Sequence, residues 1–152
     1  MRARVLGLLL LVSGCGSAAA NSQPELIPVT GRVTLDDKPI AGVTVMFNPL
    51  QGTKGTGAYG VTDAEGRYKL LHRSEREGCQ AGDYGVTFTK MSQPDETSLP
   101  QDADRAAVEV VEQIPAAYTV FDPYAFVEHA KVAKPSASAD FKLSSTKKVS
   151  LR

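Results

Sequence analysis

The fold is decided by the stretch Val29-Thr-Gly-Arg-Val-Thr-Leu-Asp-Asp-Lys-Pro-Ile-Ala-Gly-Val-Thr-Val-Met-Phe47. In residues 29–35, small or apolar side chains alternate with polar ones, which is typical of a strand with one buried face. Residues 36–39 combine two aspartates with a proline and predict a turn. The alternation resumes over residues 43–48. The stretch therefore predicts two consecutive strands joined by a turn.

Five further short strands are predicted downstream, at residues 58–62, 68–70, 84–89, 125–132 and 139–143. Residues 91–105 carry two prolines and many charges and predict a long exposed loop, whereas residues 106–113 fit either a short helix or a strand. Residues 114–118 predict an extended segment that lays Ile114 and Tyr118 on the core. Because no segment has helical periodicity over three turns, the chain is predicted to be all-β, a single β-sandwich of about seven strands.

Residues 63–66, Asp-Ala-Glu-Gly, predict a tight hairpin turn. Asp63 can accept backbone N–H groups across such a turn, and Gly66 stands at its end, where a positive φ costs least. Calcium binding at Asp63 and Glu65 is the alternative, but two carboxylates fall far short of the oxygen ligands that calcium takes. We therefore assign Asp63 and Gly66 a structural role.

Four later motifs join the opening stretch in a familiar order: Gly60-Val-Thr-Asp-Ala-Glu-Gly-Arg-Tyr68, Ala81-Gly-Asp-Tyr-Gly-Val-Thr-Phe88, Ile114-Pro-Ala-Ala-Tyr118 and Ala139-Asp-Phe-Lys-Leu143. Together they resemble a carboxypeptidase regulatory-like domain, also called transthyretin-like or prealbumin-like, in a small bacterial lipoprotein. The resemblance covers residues 27–145. It implies a Greek-key β-sandwich, and a role as a non-catalytic accessory, adhesive or scaffold module.

The N-terminus has the layout of a secretory signal: two arginines, an apolar run over residues 5–12, then Ser13, Gly14 and Cys15. The run is shorter than the roughly 20 apolar residues of a membrane-spanning helix. Its end resembles a bacterial lipoprotein box, which implies cleavage before Cys15 and acylation of that cysteine. The alternative is a plain secretory signal cut within residues 18–20. We expect an extracytoplasmic protein, anchored by lipid to a bacterial membrane.

These features divide the chain into a signal peptide (1–14), a lipidated N-terminus and tether (15–25), a β-sandwich (26–146) and a basic tail (147–152). The full sequence has 17 basic and 17 acidic residues, and removal of Arg2 and Arg4 with the signal leaves it slightly acidic. No basic stripe suits nucleic acid. The expected partners are the membrane, through the lipid on Cys15, and an envelope protein or a polysaccharide.

No catalytic residue, metal site or cofactor is predicted. His72 and His129 stand alone in the sequence, without an H-E-x-x-H motif or a comparable ligand cluster. We interpret both as exposed strand positions, and a small hydrolase that uses them is the least favoured alternative. If Cys15 carries lipid, Cys79 has no disulfide partner. It is then either a reactive thiol or an incidental loop cysteine.

Residues 118–126, Tyr-Thr-Val-Phe-Asp-Pro-Tyr-Ala-Phe, are dense in aromatic side chains. Tyr118, Phe121, Tyr124 and Phe126 either pack the open end of the sandwich or form an exposed surface for a glycan or a protein partner. We expect a non-catalytic binding or structural module of the cell envelope, with a carbohydrate-binding module as the alternative. An exposed coplanar pair of these rings would favour the glycan, and a buried set would favour a scaffold.

Overall fold

A computed structural model describes residues 23–93, 110–122 and 125–148. The predicted signal peptide, Cys15, most of the tether, Tyr124 and the end of the basic tail lie outside these residues. The described residues form β1 (Val29–Leu35), β2 (Lys38–Pro39), β3 (Thr44–Pro49), β4 (Ala58–Val61), β5 (Arg67–Lys69), β6 (Leu71–His72), β7 (Gly82–Thr89), β8 (Met91–Ser92), β9 (Val111–Glu112), α1 (Ala116–Thr119), β10 (Glu128–Val132), β11 (Ala137–Ser138) and β12 (Phe141–Leu143). None of the helices in this part of the chain has the length and apolar character needed to cross a membrane.

Two sheets face each other across one core. The first sheet is built around β1, which pairs in parallel with β11 and β12 and antiparallel with β2 and β5. The second sheet is antiparallel throughout, in the order β10-β7-β3-β4-β6. A separate pair, β8 and β9, follows the second sheet. The prediction of an all-β sandwich is confirmed, although the described residues contain twelve strands rather than about seven.

Aromatic rings from both sheets fill the core. Phe88 of β7 packs edge-to-face on Phe141 of β12, with ring centroids 5.0 Å apart. Phe47 of β3 packs edge-to-face on the same Phe141 at 6.3 Å. Such edge-to-face pairs contribute about 0.5–1.5 kcal/mol beyond the area they bury. These contacts join the two sheets directly, so the sandwich is held together by packing.

The prediction of an extended segment at residues 114–118 is wrong, although Ile114 and Tyr118 are buried as expected. Residues Ala116–Thr119 form a single helical turn, α1. Pro115 precedes it with φ −55°, which suits a helix start, and its carbonyl accepts the N–H of Tyr118 at 2.9 Å. One turn is too short to produce helical periodicity in the sequence. In the ambiguous stretch 106–113, β9 is a strand and residues 106–109 lie outside the described residues.

Close contact between backbones explains the small residue at position 31. Gly31 of β1 lies directly opposite Tyr68 of β5. The Tyr68 hydroxyl donates a hydrogen bond of 2.7 Å to the carbonyl of Ala139. A Cβ added at Gly31 would overlap that carbonyl oxygen and come within 2.8 Å of the Tyr68 hydroxyl. The absence of a side chain therefore lets three segments meet at one point.

The turn between β4 and β5 is organised by one carboxylate. Oδ1 of Asp63 accepts the backbone N–H groups of Glu65 at 3.0 Å and Arg67 at 2.8 Å, and the Asp63 carbonyl accepts the N–H of Gly66 at 2.9 Å. Gly66 has φ +73°, in the left-handed region. The N–H of Arg67 holds the pKa of the Asp63 carboxyl below its ordinary value, and the Arg67 side chain lowers it further.

We expect Asp63→Ala to lower the melting temperature and Asp63→Asn to preserve most of it, because an amide oxygen can accept the same N–H groups. The lowered pKa means that the ionised form stabilises the fold. That contribution is present above the ordinary aspartate pKa of about 4 and is lost as the pH falls through the lower folded-state value. Thermal melts from pH 7 to pH 2 should therefore show that acidification lowers the melting temperature of Asp63→Asn less than that of the wild type. Identical pH profiles would contradict this account.

Candidate ligand-binding surface

The outer face of the second sheet carries an apolar row. Met46 of β3 lies opposite Tyr59 of β4, and Tyr59 lies opposite Leu71 of β6. Tyr59 keeps 41% of its surface exposed, and Val61, two residues along β4, keeps 56%. The outer face of a sandwich sheet is ordinarily polar, because only the inner face meets the core. This row therefore needs an explanation other than folding.

The row borders a concave region with a volume of about 1070 Å³, which we name the main groove. Its walls come from both sheets, with β5 as part of the first, and its lining includes Thr30, Arg32, Tyr59, Val61, Arg67, Lys69, Leu71, Glu77, Ser138 and Asp140. The groove forms where the chain passes from one sheet to the other, since β5 pairs with β1 whereas β6 pairs with β4. The fully buried Leu70 marks this crossing point. At Gly60 the backbones of β4 and β5 approach so closely that a Cβ added to this glycine would overlap the carbonyl oxygen of Lys69.

A second, smaller concave region, with a volume of about 460 Å³, lies on the other side of Tyr59, and we name it the side groove. Met46, Asn48, Thr56 and Arg73 line it together with Tyr59. Tyr59 thus belongs to both grooves. Taken together, the two grooves have the size and the mixture of apolar and polar groups that ligand sites show.

The charges along the grooves are compensated unequally. Arg67 forms ion pairs with Asp63 at 3.1 Å and with Glu65 at 3.0 Å. Lys69 and Arg73, in contrast, form no ion pair with any residue that the structure describes. Lys69 lines the main groove and Arg73 the side groove. Among the described residues, Lys69 and Arg73 thus lie in the grooves on either side of the exposed Tyr59 without an ion pair, as do Arg32, Glu77 and Asp140 of the main groove.

The interpretation of His72 as an exposed position is wrong, because His72 is 8% exposed. Its Nε2 lies 3.0 Å from Oγ1 of Thr56, and its Nδ1 accepts the backbone N–H of Ser74 at 3.2 Å. Oγ of Ser74 lies 2.9 Å from the same Nδ1, so both ring nitrogens contact hydroxyl groups. These contacts join Thr56, in the loop before β4, to the turn after β6.

His129 lies far from His72 in the topology. His72 belongs to β6 and His129 to β10, and these strands form the two opposite edges of the second sheet. His72 and His129 therefore do not converge in one pocket, the arrangement that would have favoured the hydrolase alternative. In residues 23–93, 110–122 and 125–148, no three histidine, cysteine, aspartate or glutamate side chains gather as a group that could hold a metal ion.

The predicted aromatic surface at residues 118–126 divides into buried and exposed members. Tyr118 is 4% exposed and Phe126 is 9% exposed, whereas Phe121 is 64% exposed. The rings of Phe121 and Phe126 meet edge-to-face at 80°, with centroids 5.5 Å apart. Phe126 also occupies the space beside Gly85 of β7. The described members therefore form no coplanar exposed pair.

Cys79 is fully buried, and its backbone bridges that of Ile27. Burial raises the pKa of its thiol, while the nearby Tyr84 hydroxyl opposes that shift. A buried thiol with a raised pKa forms little of the reactive thiolate. The structure therefore favours a packing role for Cys79 over a reactive one.

Tyr59 is one of the aromatic side chains that the sequence offers for a sugar-binding face, although it lies outside the dense stretch 118–126, whereas Val61 is not among those candidates. In residues 58–62 the buried positions are 58, 60 and 62, so that the strand turns two small residues and a threonine inward and Tyr59 and Val61 outward. A strand whose larger apolar residues lie on the face opposite the core predicts a binding surface. The grooves themselves depend on pairing between distant strands, which the sequence does not display.

No protein-family model, curated protein or solved structure matches this chain. The function is therefore argued from the main groove, the side groove and the sequence motifs alone.

Proposed function

We propose that this protein is a lipid-anchored, non-catalytic binding module of the bacterial cell envelope and that the main and side grooves form its ligand surface. The observation that carries the proposal is the exposure of Tyr59 between the two grooves, on the outer face of a sheet. An apolar side chain there adds nothing to the core. Covering it by a ligand would remove apolar surface from water, which is favourable at about 25 cal/mol per Å².

The rigidity of the grooves supports a recognition role. Strands β1, β4 and β5 supply much of the lining of the main groove, and the close approach of Gly60 to the backbone of Lys69 fixes the spacing of β4 and β5. The ion pairs of Arg67 hold the turn at one end of the main groove. A surface already in its final shape loses little conformational entropy when it binds.

The position of the tether is compatible with an anchored module. Arg76 donates hydrogen bonds to the Gln23 side chain at 3.1 Å and to the Pro24 carbonyl at 3.3 Å, and Glu25 pairs with Lys134. The chain thus enters the sandwich beside Arg76, the neighbour in sequence of Glu77, which lines the main groove. The resemblance to carboxypeptidase regulatory-like domains suggests the same non-catalytic role.

Photo-crosslinking in intact cells tests the ligand surface. A benzoylphenylalanine residue replaces Val61 in the main groove, or replaces Lys131, an exposed residue of β10 at the opposite edge of the same sheet. We expect position 61 to capture a specific envelope component after irradiation and position 131 to capture none. Equal capture at both positions, or no capture at position 61, would contradict the proposal.

A further inference from the structure

We propose that the two grooves bind an anionic glycan strand, with Tyr59 as the stacking surface and Lys69 and Arg73 as the contacts to its acidic groups. This inference rests on the proposed function, because it names the ligand of the same surface. Two independent features carry it: the exposed aromatic ring shared by both grooves, and the uncompensated cations on either side of that ring.

Tyr59 is free to meet a sugar ring. The neighbours across the sheet, Met46 and Leu71, flank it in one row and limit its side-chain freedom. Its hydroxyl forms no hydrogen bond within the described part of the chain, so the phenol group has no structural partner to lose. The negative face of an aromatic ring attracts the partly positive C–H groups on the flat side of a pyranose. One exposed ring of this kind suits a sugar unit.

The two cations are positioned to contact acidic substituents along a glycan chain. Lys69 and Arg73 stand two residues before and two residues after Leu71, which lies directly opposite Tyr59. Lys69 belongs to β5, which pairs with β1 of the first sheet, whereas Arg73 lies in the turn that follows β6. Lys69 therefore approaches a ligand from the main groove, and Arg73 approaches it from the side groove.

The uncharged polar groups of the grooves favour ligands rich in hydroxyl groups, and the charged groups bear on the sign of the ligand's charge. Thr30 and Ser138 line the main groove, and Asn48 lines the side groove. Of the carboxylates in the main groove, Asp63 and Asp140 already accept N–H groups of the chain. The main groove is lined by three cations, Arg32, Arg67 and Lys69, and by three carboxylates, so that Arg73 of the side groove is the surplus cation. A neutral glycan would leave these cations unused, whereas an acidic one would satisfy them.

The test uses the full acylated chain in neutral detergent, with polygalacturonate as the anionic probe and dextran as the neutral one. We expect polygalacturonate to bind, to bind less tightly as salt rises from 50 to about 500 mM, and dextran not to bind. Tyr59→Ala should weaken binding about tenfold, and the double variant Lys69→Gln, Arg73→Gln should do the same and reduce the salt dependence. Thermal melts check that each variant is folded.

Matched controls separate the grooves from the rest of the surface. Phe121→Ala removes an exposed aromatic ring outside the grooves, and Lys131→Gln removes an exposed cation at the far edge of the sheet. Both should bind like the wild type. Unchanged binding by Tyr59→Ala, or an equal loss in the controls, would overturn the inference. Capture of a protein alone from position 61 would also overturn it while leaving the proposed function intact.

Discussion

Replacing Gly31 by alanine is expected to lower the free energy of unfolding by about 3 kcal/mol or more. The new Cβ would overlap the carbonyl oxygen of Ala139, which is backbone and cannot rotate away. Relief would require β1 to move from the segment at residue 139, and this would break the hydrogen bond from Tyr68 to the same carbonyl. Because Gly31 does not have a left-handed φ, the loss would come from crowding alone.

Equilibrium unfolding in urea measures this loss. Thr30→Ala is the matched control, since it introduces the same residue at the adjacent, exposed position of β1. It should change the free energy of unfolding by less than about 0.5 kcal/mol. If Gly31→Ala is as stable as Thr30→Ala, the close approach of β1 to residue 139 is not a feature of the protein.

Replacing Cys15 by alanine is expected to move the protein entirely from the membrane to the soluble fraction. The resemblance of residues 12–15 to a lipoprotein box implies acylation of this cysteine, and each buried methylene of an acyl chain contributes about 0.8 kcal/mol to anchoring. Two or more chains give a stable anchor, so their removal leaves no comparable attachment. The effect should be all-or-none rather than graded.

Detergent phase partitioning of whole-cell extracts follows this change. Cys79→Ala is the matched control, because it removes the other cysteine and leaves the lipoprotein box unchanged. That variant should stay with the detergent phase, as the wild type does. Retention of Cys15→Ala in the detergent phase would show that the anchor is not lipid on Cys15.

The sandwich could be predicted because its long strands follow simple alternation. In β1, Val29 and Val33 are buried between exposed or half-buried neighbours, and this pattern is visible in the sequence. The two-residue strands β2, β6, β8, β9 and β11 are too short to show a period. Their existence depends on which distant strand lies alongside them.

The candidate binding surface could be predicted only in part, because the exposure of a side chain also depends on contacts with distant parts of the chain. The aromatic density of residues 118–126 is a local signal, but whether each ring is exposed depends on remote contacts. Phe126 is buried because β7 offers Gly85 beside it, and Tyr118 is buried because it packs on Phe88. Tyr59 is exposed because β4 turns its small residues, Ala58 and Gly60, toward the core and Tyr59 toward the outer face of the sheet. Burial of a side chain is a tertiary property, and the sequence alone ranks such candidates poorly.

We propose that ligand binding takes place on the surface around Tyr59. The most direct test is photo-crosslinking from position 61 in intact cells, performed once with Tyr59 and once with Tyr59→Ala, at equal protein levels. The account predicts a specific crosslinked envelope component with Tyr59 and its loss in the Tyr59→Ala variant. The same component captured equally well from Tyr59→Ala would contradict it.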